Sequence, residues 1–350
     1  MVLEVLMTGW GYPPDVDGGL DIHVARLFEI LSGREDTNAE LLMPADRAPD
    51  DEKINPVETD SEEMVRKARE LSSKAVELSR EFDIIHTHDW LGAEPGYKAA
   101  KHSEVSWIST MHSLADDRTR KGSRRLEKLE RAAVEAPDQV IAVSDILASE
   151  IQEKYGRRPE VVHDGFSRPK YSGKVMKTDL GISDDMVFFV GRHSEQKGIE
   201  HLVYGFSKLL ESGRQAHLVI GGKGHMTESL KMFTEVLGIQ EKVTFTGFIP
   251  REQLGDFYSG AEVFVSPSLS EPFGLTITEA LNAGTKVVAT ESGVEEVLPE
   301  DTITSVEPES GSIALGLEKA LDSSDKPDPE PRSWEEMSEE VTQLYRDLSR

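Results

Sequence analysis

The chain has 350 residues, longer than one hydrophobic core usually supports, so two domains of roughly 150–180 residues are expected. It has no cysteine, which excludes disulfides, thiolate metal sites and a cysteine nucleophile. With 65 acidic against 39 basic side chains and a net charge of −26, its surface repels nucleic acid and anionic lipid. We read the acidic excess as a surface adaptation for solubility at high salt, not as a partner signal.

The opening "MVLEVLMTGWGY" is a short apolar strand running into a glycine turn, without a charged leader or a small-residue cleavage site. No apolar window of about 18 residues follows anywhere, and a cytoplasmic protein is expected. The helix-like "DIHVARLFEILSG" comes next, then "PADRAPDDEKINPVETDSEE", Pro- and acid-rich without periodicity and read as a surface loop. "FDIIHTHDW" leads into "LGAEPGYKAAK", "VSWISTMHS" follows, and "DQVIAVS" precedes "DILASEIQEKYG".

After "VVHDGFSRPKYSG" the same grammar restarts, with strands at "MVFFVGR", "AHLVIGG", "KVTFTGF", "AEVFVSPS" and "KVVAT". Strands alternating with helices imply crossover units and parallel sheets, so an α/β chain of two such units, joined near residues 165–175, is the simplest parse. A second loop, "DSSDKPDPEPR", precedes a final helix that Ser333 would cap, with Glu336 at the matching third position.

In parallel sheets, ligands bind beyond the carboxyl ends of the strands. Ser270 to Gly274 is such a loop, placing Glu271 before a helix and Glu279 in its first turns, with Gly284 ending that helix. Thr276 and Glu279 also fit a capping box that needs no ligand, and the charge of Glu271 would complement the helix dipole in any case. Arg192 and Lys197 flank another strand-to-helix turn between Gly191 and Gly198. Two cations there in so acidic a chain suggest an anionic ligand such as a diphosphate, although the turn taken alone also reads as merely solvated.

Gly18 and Gly19 would bring backbone N–H groups to a phosphate at a helix start, but the stretch is neither a P-loop nor GxGxxG. Asp15 and Asp17, and His86, His88 and Asp89, are conceivable metal ligands. We read them otherwise, because alternating strand residues point to opposite faces and no third cluster completes a site. The basic segment 118–131, with Arg118, Arg120, Lys121, Arg124, Arg125 and Lys128, reads as a solvated helix face with ion pairs. Its functional version would hold an anionic acceptor or a membrane surface.

Taken in order, "YPPDVDGGLDIHVARL", "DIIHTHDW", "STMHS", "DQVIAVSD", "VVHDGF", "VGRHSEQKGIEHL", "SEPFGLTITEALNAGTKVVAT" and "SWEE" resemble the retaining nucleotide-sugar glycosyltransferases of family 4, close to the glycogen and starch synthases. The resemblance implies two Rossmann-like domains facing across a cleft (the GT-B architecture). An acceptor-side domain over 1–166 would be joined by a last helix, 333–350, crossing back to it, and a donor-binding domain would span 167–332.

It also implies residue roles. Arg192 and Lys197 would neutralise the diphosphate in place of a metal, Glu271 would contact donor sugar hydroxyls and Glu279 the ribose. Gly222 and the backbone of Phe273, Gly274, Leu275 and Thr276 would meet the donor. Gly18 and Gly19 would approach from the first domain, His112 would lie beside the anomeric carbon, and His86 and Asp89 would face the acceptor. Neither a cofactor nor a metal is implied, since the ADP-, UDP- or GDP-linked sugar is a substrate. The acceptor would be a glucan, a small molecule or a lipid-linked glycan.

Two departures stand out. The glycogen synthases carry Lys-x-Gly-Gly-Leu, whereas here Asp17 directly precedes "GGL", which weakens that particular assignment. Asp164 stands where the family usually has Asn. An epimerase of the same architecture would need further acids and histidines around the donor C2. A noncatalytic nucleotide-sugar sensor is a second alternative, and retention of all four charged residues argues against it. An NAD oxidoreductase lacks its glycine fingerprint.

Overall fold

A computed structural model describes residues 2–61, 63–115, 123–327 and 329–349. The chain forms two compact units: Met1–Gly165 together with Arg332–Arg350, and Phe166–Pro331. Each is a parallel sheet with crossover helices.

The first unit has seven strands: β1 (Leu3–Thr8), β2 (Thr37–Pro44), β3 (Ile54–Val57), β4 (Ile84–His88), β5 (Ser106–Met111), β6 (Gln139–Ala142) and β7 (Glu160–Val161). Their spatial order is β3-β2-β1-β4-β5-β6-β7, and every pairing is parallel. Strands covered on both faces read as nearly continuous apolar runs, and β1 is buried at all but one position. Leu6, Leu42, Ile85 and Trp107 of the sheet pack with Leu71 and Ala75 of the helix Met64–Leu78 and Ala99 of the helix Ala93–Ser103.

The segment 44–63 is not wholly loop, because β3 lies within it. Its Pro56 lacks an N–H, which an edge strand tolerates, and β3 is the outermost strand. Of the basic segment, Arg118, Arg120 and Lys121 lie outside the described residues. Arg124, Arg125 and Lys128 lie exposed on the helix Arg124–Glu135, where Arg125 pairs with Glu63 at 2.8 Å.

The last helix, Trp334–Leu348, belongs to the first unit. Ser333 and Glu336 form the expected capping box. Its buried stripe of Trp334, Met337, Val341 and Tyr345 repeats at helical spacing. Arg34 binds Asp36 at 2.8 Å and Glu339 at 2.7 Å, and Arg346 also pairs with Asp36, so charges rim the apolar contact.

The second unit contains β8 (Asp185–Val190), β9 (Ala216–Gly221), β10 (Val243–Gly247), β11 (Val263–Ser266), β12 (Lys286–Ala289) and β13 (Thr304–Ser305), in the order β10-β9-β8-β11-β12-β13. Val187, Leu218, Ile220, Val263, Val265 and Val288 form the sheet side of a core that the helices Ile199–Glu211 and Ser310–Asp322 cover. Among the described residues no helix is long and apolar enough to cross a membrane.

Candidate active site

Each sheet reverses its winding once, between β1 and β4 in the first unit and between β8 and β11 in the second. Loops leaving two such neighbouring strands diverge and open a crevice at their carboxyl ends. Arg192, Lys197 and Glu271 lie on the loops that leave β8 and β11.

In the second unit, Lys197 closes a short turn, Glu195–Lys197, after β8. Gly198 follows with φ 59°, and a Cβ there would lie 2.0 Å from the Pro267 carbonyl oxygen. The turn therefore rests directly on the loop after β11, and the Leu269 N–H donates to the Gln196 carbonyl at 2.8 Å. This contact brings Lys197 Nζ to 2.7 Å from Glu271 Oε2, which also accepts the Ser268 hydroxyl at 2.9 Å. Glu271 thus has a specific cationic partner and is more than a complement to a helix dipole. The Arg192 side chain is exposed, with no ion pair among the described residues.

The loop past Glu271 is held from behind. Gly293 and Val294 donate backbone N–H groups to the carbonyls of Glu271 and Phe273, and the Phe273 ring is buried. Gly274, with φ 104°, starts the helix Leu275–Asn282 without a side-chain cap. The first-turn N–H groups of Leu275 and Thr276 have no partner among the described residues, the arrangement that suits an anion. Gly222 donates to the Gly247 carbonyl at 2.7 Å and closes the neighbouring strand ends.

The capping-box reading of Glu279 is overturned, because Thr276 lies inside the helix and the N-cap is Gly274. Glu279 is 5% exposed, and its carboxylate accepts from the Tyr258 hydroxyl at 3.0 Å and from Arg251 at 3.4 Å. Burial raises its pKa, with Arg251 and Tyr258 pulling the other way. Arg251 and Tyr258 were not legible as its partners from local spacing.

In the first unit the glycine loop after β1 is braced by Asp21. Its buried carboxylate accepts the N–H groups of Gly11 at 3.0 Å and Asp17 at 2.7 Å, and burial raises its pKa. Gly18 and Gly19 are exposed where the helix Gly19–Ser32 begins. Asp17 pairs with Arg47 at 2.6 Å, while Asp15 exchanges backbone hydrogen bonds with Tyr12.

His86 and Asp89, expected to face an acceptor, are fully buried. His86 spends Nδ1 on the Tyr345 hydroxyl at 2.6 Å and Nε2 on the Thr110 hydroxyl at 2.7 Å. Burial and then the nearby His23 lower its pKa to about 3. Asp89, in left-handed backbone at φ 51°, accepts the His112 N–H at 2.6 Å. Both residues thus stand behind the surface, and Asp89 positions His112.

His86 and His88, two apart on one strand, share a face, with ring centroids 4.5 Å apart. The sequence reading set His86, His88 and Asp89 aside as pointing to opposite faces; the two histidines in fact share one, and the imidazoles that come together are a different set, with His23 from the first helix. His23, His88 and His112 each offer a ring nitrogen, all within 4.8 Å of one another. Asp164, the departure noted above, is the partner of His23 at 2.6 Å.

Two family descriptions match nearly end to end: "Glycosyltransferase Family 4" over residues 18–167 and "Glycosyl transferases group 1" over residues 177–345. An uncharacterized glycosyltransferase of Methanocaldococcus jannaschii is 28% identical, with 98% of each chain covered. A D-inositol 3-phosphate glycosyltransferase of Kribbella flavida is 33% identical over 64% of this chain and 58% of its own. Among solved structures, the catalytic domain of starch synthase IV from Arabidopsis thaliana, bound to ADP and acarbose, superposes with a TM-score of 0.78 at 16% identity over 100% of both chains.

Proposed function

The chain belongs to the family 4 glycosyltransferases of GT-B type, and on that premise we propose a retaining hexosyltransferase, glucosyl by preference, that uses a nucleotide-sugar donor. The observation that carries this reading is the convergence of Lys197, Glu271 and the uncapped helix start at Leu275 on the winding reversal of the second sheet. Cleaving the bond from sugar C1 to the diphosphate oxygen leaves positive charge on the sugar and negative charge on the phosphate. Lys197, the exposed Arg192 and the free N–H groups of the helix start would stabilise that phosphate without a metal at the diphosphate. Fixed donors of this kind need no reorganisation as the charge develops.

Glu271, held in place by Lys197 and Ser268, would accept hydrogen bonds from donor sugar hydroxyls. Glu279 would take a ribose hydroxyl into its network with Tyr258 and Arg251. The acceptor oxygen would attack C1 from the leaving-group face, its proton passing to the departing phosphate oxygen, so that no separate protein base is required. A starch synthase neighbour and an inositol phosphate transferase relative support hydroxyl acceptors of glucan or small polyol class.

Incubation with ADP-, UDP- and GDP-linked hexoses, following nucleotide release and the anomeric configuration of the product, tests the reading. Release from one donor class with an α-linked product from an α-donor is expected. An inverted product would refute retention, and intact protein that releases nothing from any donor in the presence of glucan and polyol acceptors would refute the assignment.

A further inference from the structure

We propose that His23, His88 and His112 bind one divalent transition metal ion of the zinc class inside the first unit. The three imidazoles come from the first helix, the end of β4 and the residue after β5, and the fold brings one nitrogen of each within 4.8 Å of the others. His88 Nδ1 and His112 Nε2 are 3.2 Å apart. That is close to the roughly 3.3 Å edge of a tetrahedron whose metal–nitrogen bonds are about 2.0–2.1 Å.

Two further observations point to a cation. The Nε2 atom of His23 is buried and has no hydrogen-bond partner among the described residues, the kind of orphaned polar atom that requires an explanation. His23 Nδ1 is meanwhile fixed at 2.6 Å by Asp164, itself 3% exposed. A carboxylate on one ring nitrogen holds the hydrogen there and leaves the lone pair on the other, as in the carboxylate–histidine–metal arrangement. The negative charge of Asp164 would be balanced by the metal. Three imidazole nitrogens select zinc, cobalt, nickel or copper over magnesium or calcium, which prefer oxygen.

The full-length chain, stripped with a chelator and dialysed, is titrated with Co2+ while its visible absorption is followed, and then with Zn2+ in competition. One equivalent of Co2+ with the intense absorption of a four-coordinate site is expected, displaced by Zn2+ and accompanied by a rise in melting temperature. His23→Gln and His88→Gln should abolish that signal. Asp164→Asn, which keeps all three ligands, should weaken binding by roughly 10–100-fold. Folded wild-type chain that takes up neither metal overturns the proposal, as does undiminished binding in His23→Gln. Should the glutamine variants fail to fold, Asp164→Asn decides, and an unchanged affinity there overturns the assignment.

Discussion

Lys197 Nζ lies 2.7 Å from Glu271 Oε2 across a separation of 74 residues, joining the loop after β8 to the loop after β11. In the proposed function, the cation assigned to the diphosphate and the carboxylate assigned to sugar hydroxyls are therefore each other's partner. A donor bound in that way would insert between them or share them. The pair is also a preorganised unit, since each side chain reduces the freedom of the other.

Lys197→Ala and Glu271→Ala should each lower kcat by roughly 100-fold or more, the scale on which a transition-state charge partner acts. Because the two residues touch, their effects should not add. The double variant should be about as impaired as the worse single one, with circular dichroism unchanged. Nucleotide release at saturating donor measures this, and strictly multiplicative losses would show that the pair does not act as a unit.

Gly198→Ala should damage both fold and activity. The left-handed backbone alone costs an L-residue about 1–2 kcal/mol. The 2.0 Å approach to the Pro267 oxygen is a second obstacle, made by backbone that has little room to yield. Urea unfolding should show a lower midpoint, and kcat should fall because Lys197 is carried by the displaced turn. A variant with wild-type midpoint and rate would contradict the packing described for this turn.

Glu279→Gln should separate stability from function. Burial raises the Glu279 pKa in the folded chain, so its carboxyl stabilises the fold when protonated at low pH, and that contribution is lost as pH rises through the raised value. At neutral pH the ionised group is therefore a burden, and the neutral amide should raise the melting temperature. Below the ordinary glutamate range of about 4.3 the gain should vanish. Affinity for the nucleotide should drop at the same time, as expected where a site retains a costly buried group. Melting curves across pH, beside nucleotide titrations, read both effects.

The anchoring of the last helix should weaken in acid. Hydrogen bonding to Arg34, and then to Arg346, holds the Asp36 carboxyl well below its usual range, and the same two arginines lower Glu339. Groups with depressed pKa values stabilise the fold above the ordinary carboxylate range and lose that contribution as pH falls through the depressed values. The groups are exposed, so the effect should be small and salt-sensitive. Protection against amide exchange in Trp334–Leu348, taken relative to the intrinsic rate at each pH, should fall in acid before that of β1 and β4. In Asp36→Asn the acid dependence of that protection should flatten.

The two sheets and the crossover grammar were legible in the sequence because central parallel strands are short apolar runs, as "MVFFVGR" and "AEVFVSPS" illustrate. The edge was not, since β3 reads "INPV" inside an acidic stretch and an edge strand needs little hydrophobic signal. The charged loop residues could be named from their place after strands. That Lys197 meets Glu271, or that Tyr258 and Arg251 hold Glu279, is a tertiary relation that local spacing does not encode. His23 sits inside the quoted stretch "DIHVARL", but nothing there marks it as a partner of His88 and His112. Only the unusual Asp164, its partner, hinted that something near it differed.

The last helix carries one more consequence. Met337, Val341 and Tyr345 complete the core of a unit whose other residues end at Gly165, while the whole of the second unit lies between. During synthesis the second unit emerges as one unbroken stretch and can close on itself as soon as it clears the ribosome. The first unit, although begun earlier, waits for Trp334–Leu348, with the face that Tyr345 will cover left bare until then. Birth order and completion order are thus reversed, and the half that holds the histidine cluster is the half finished last.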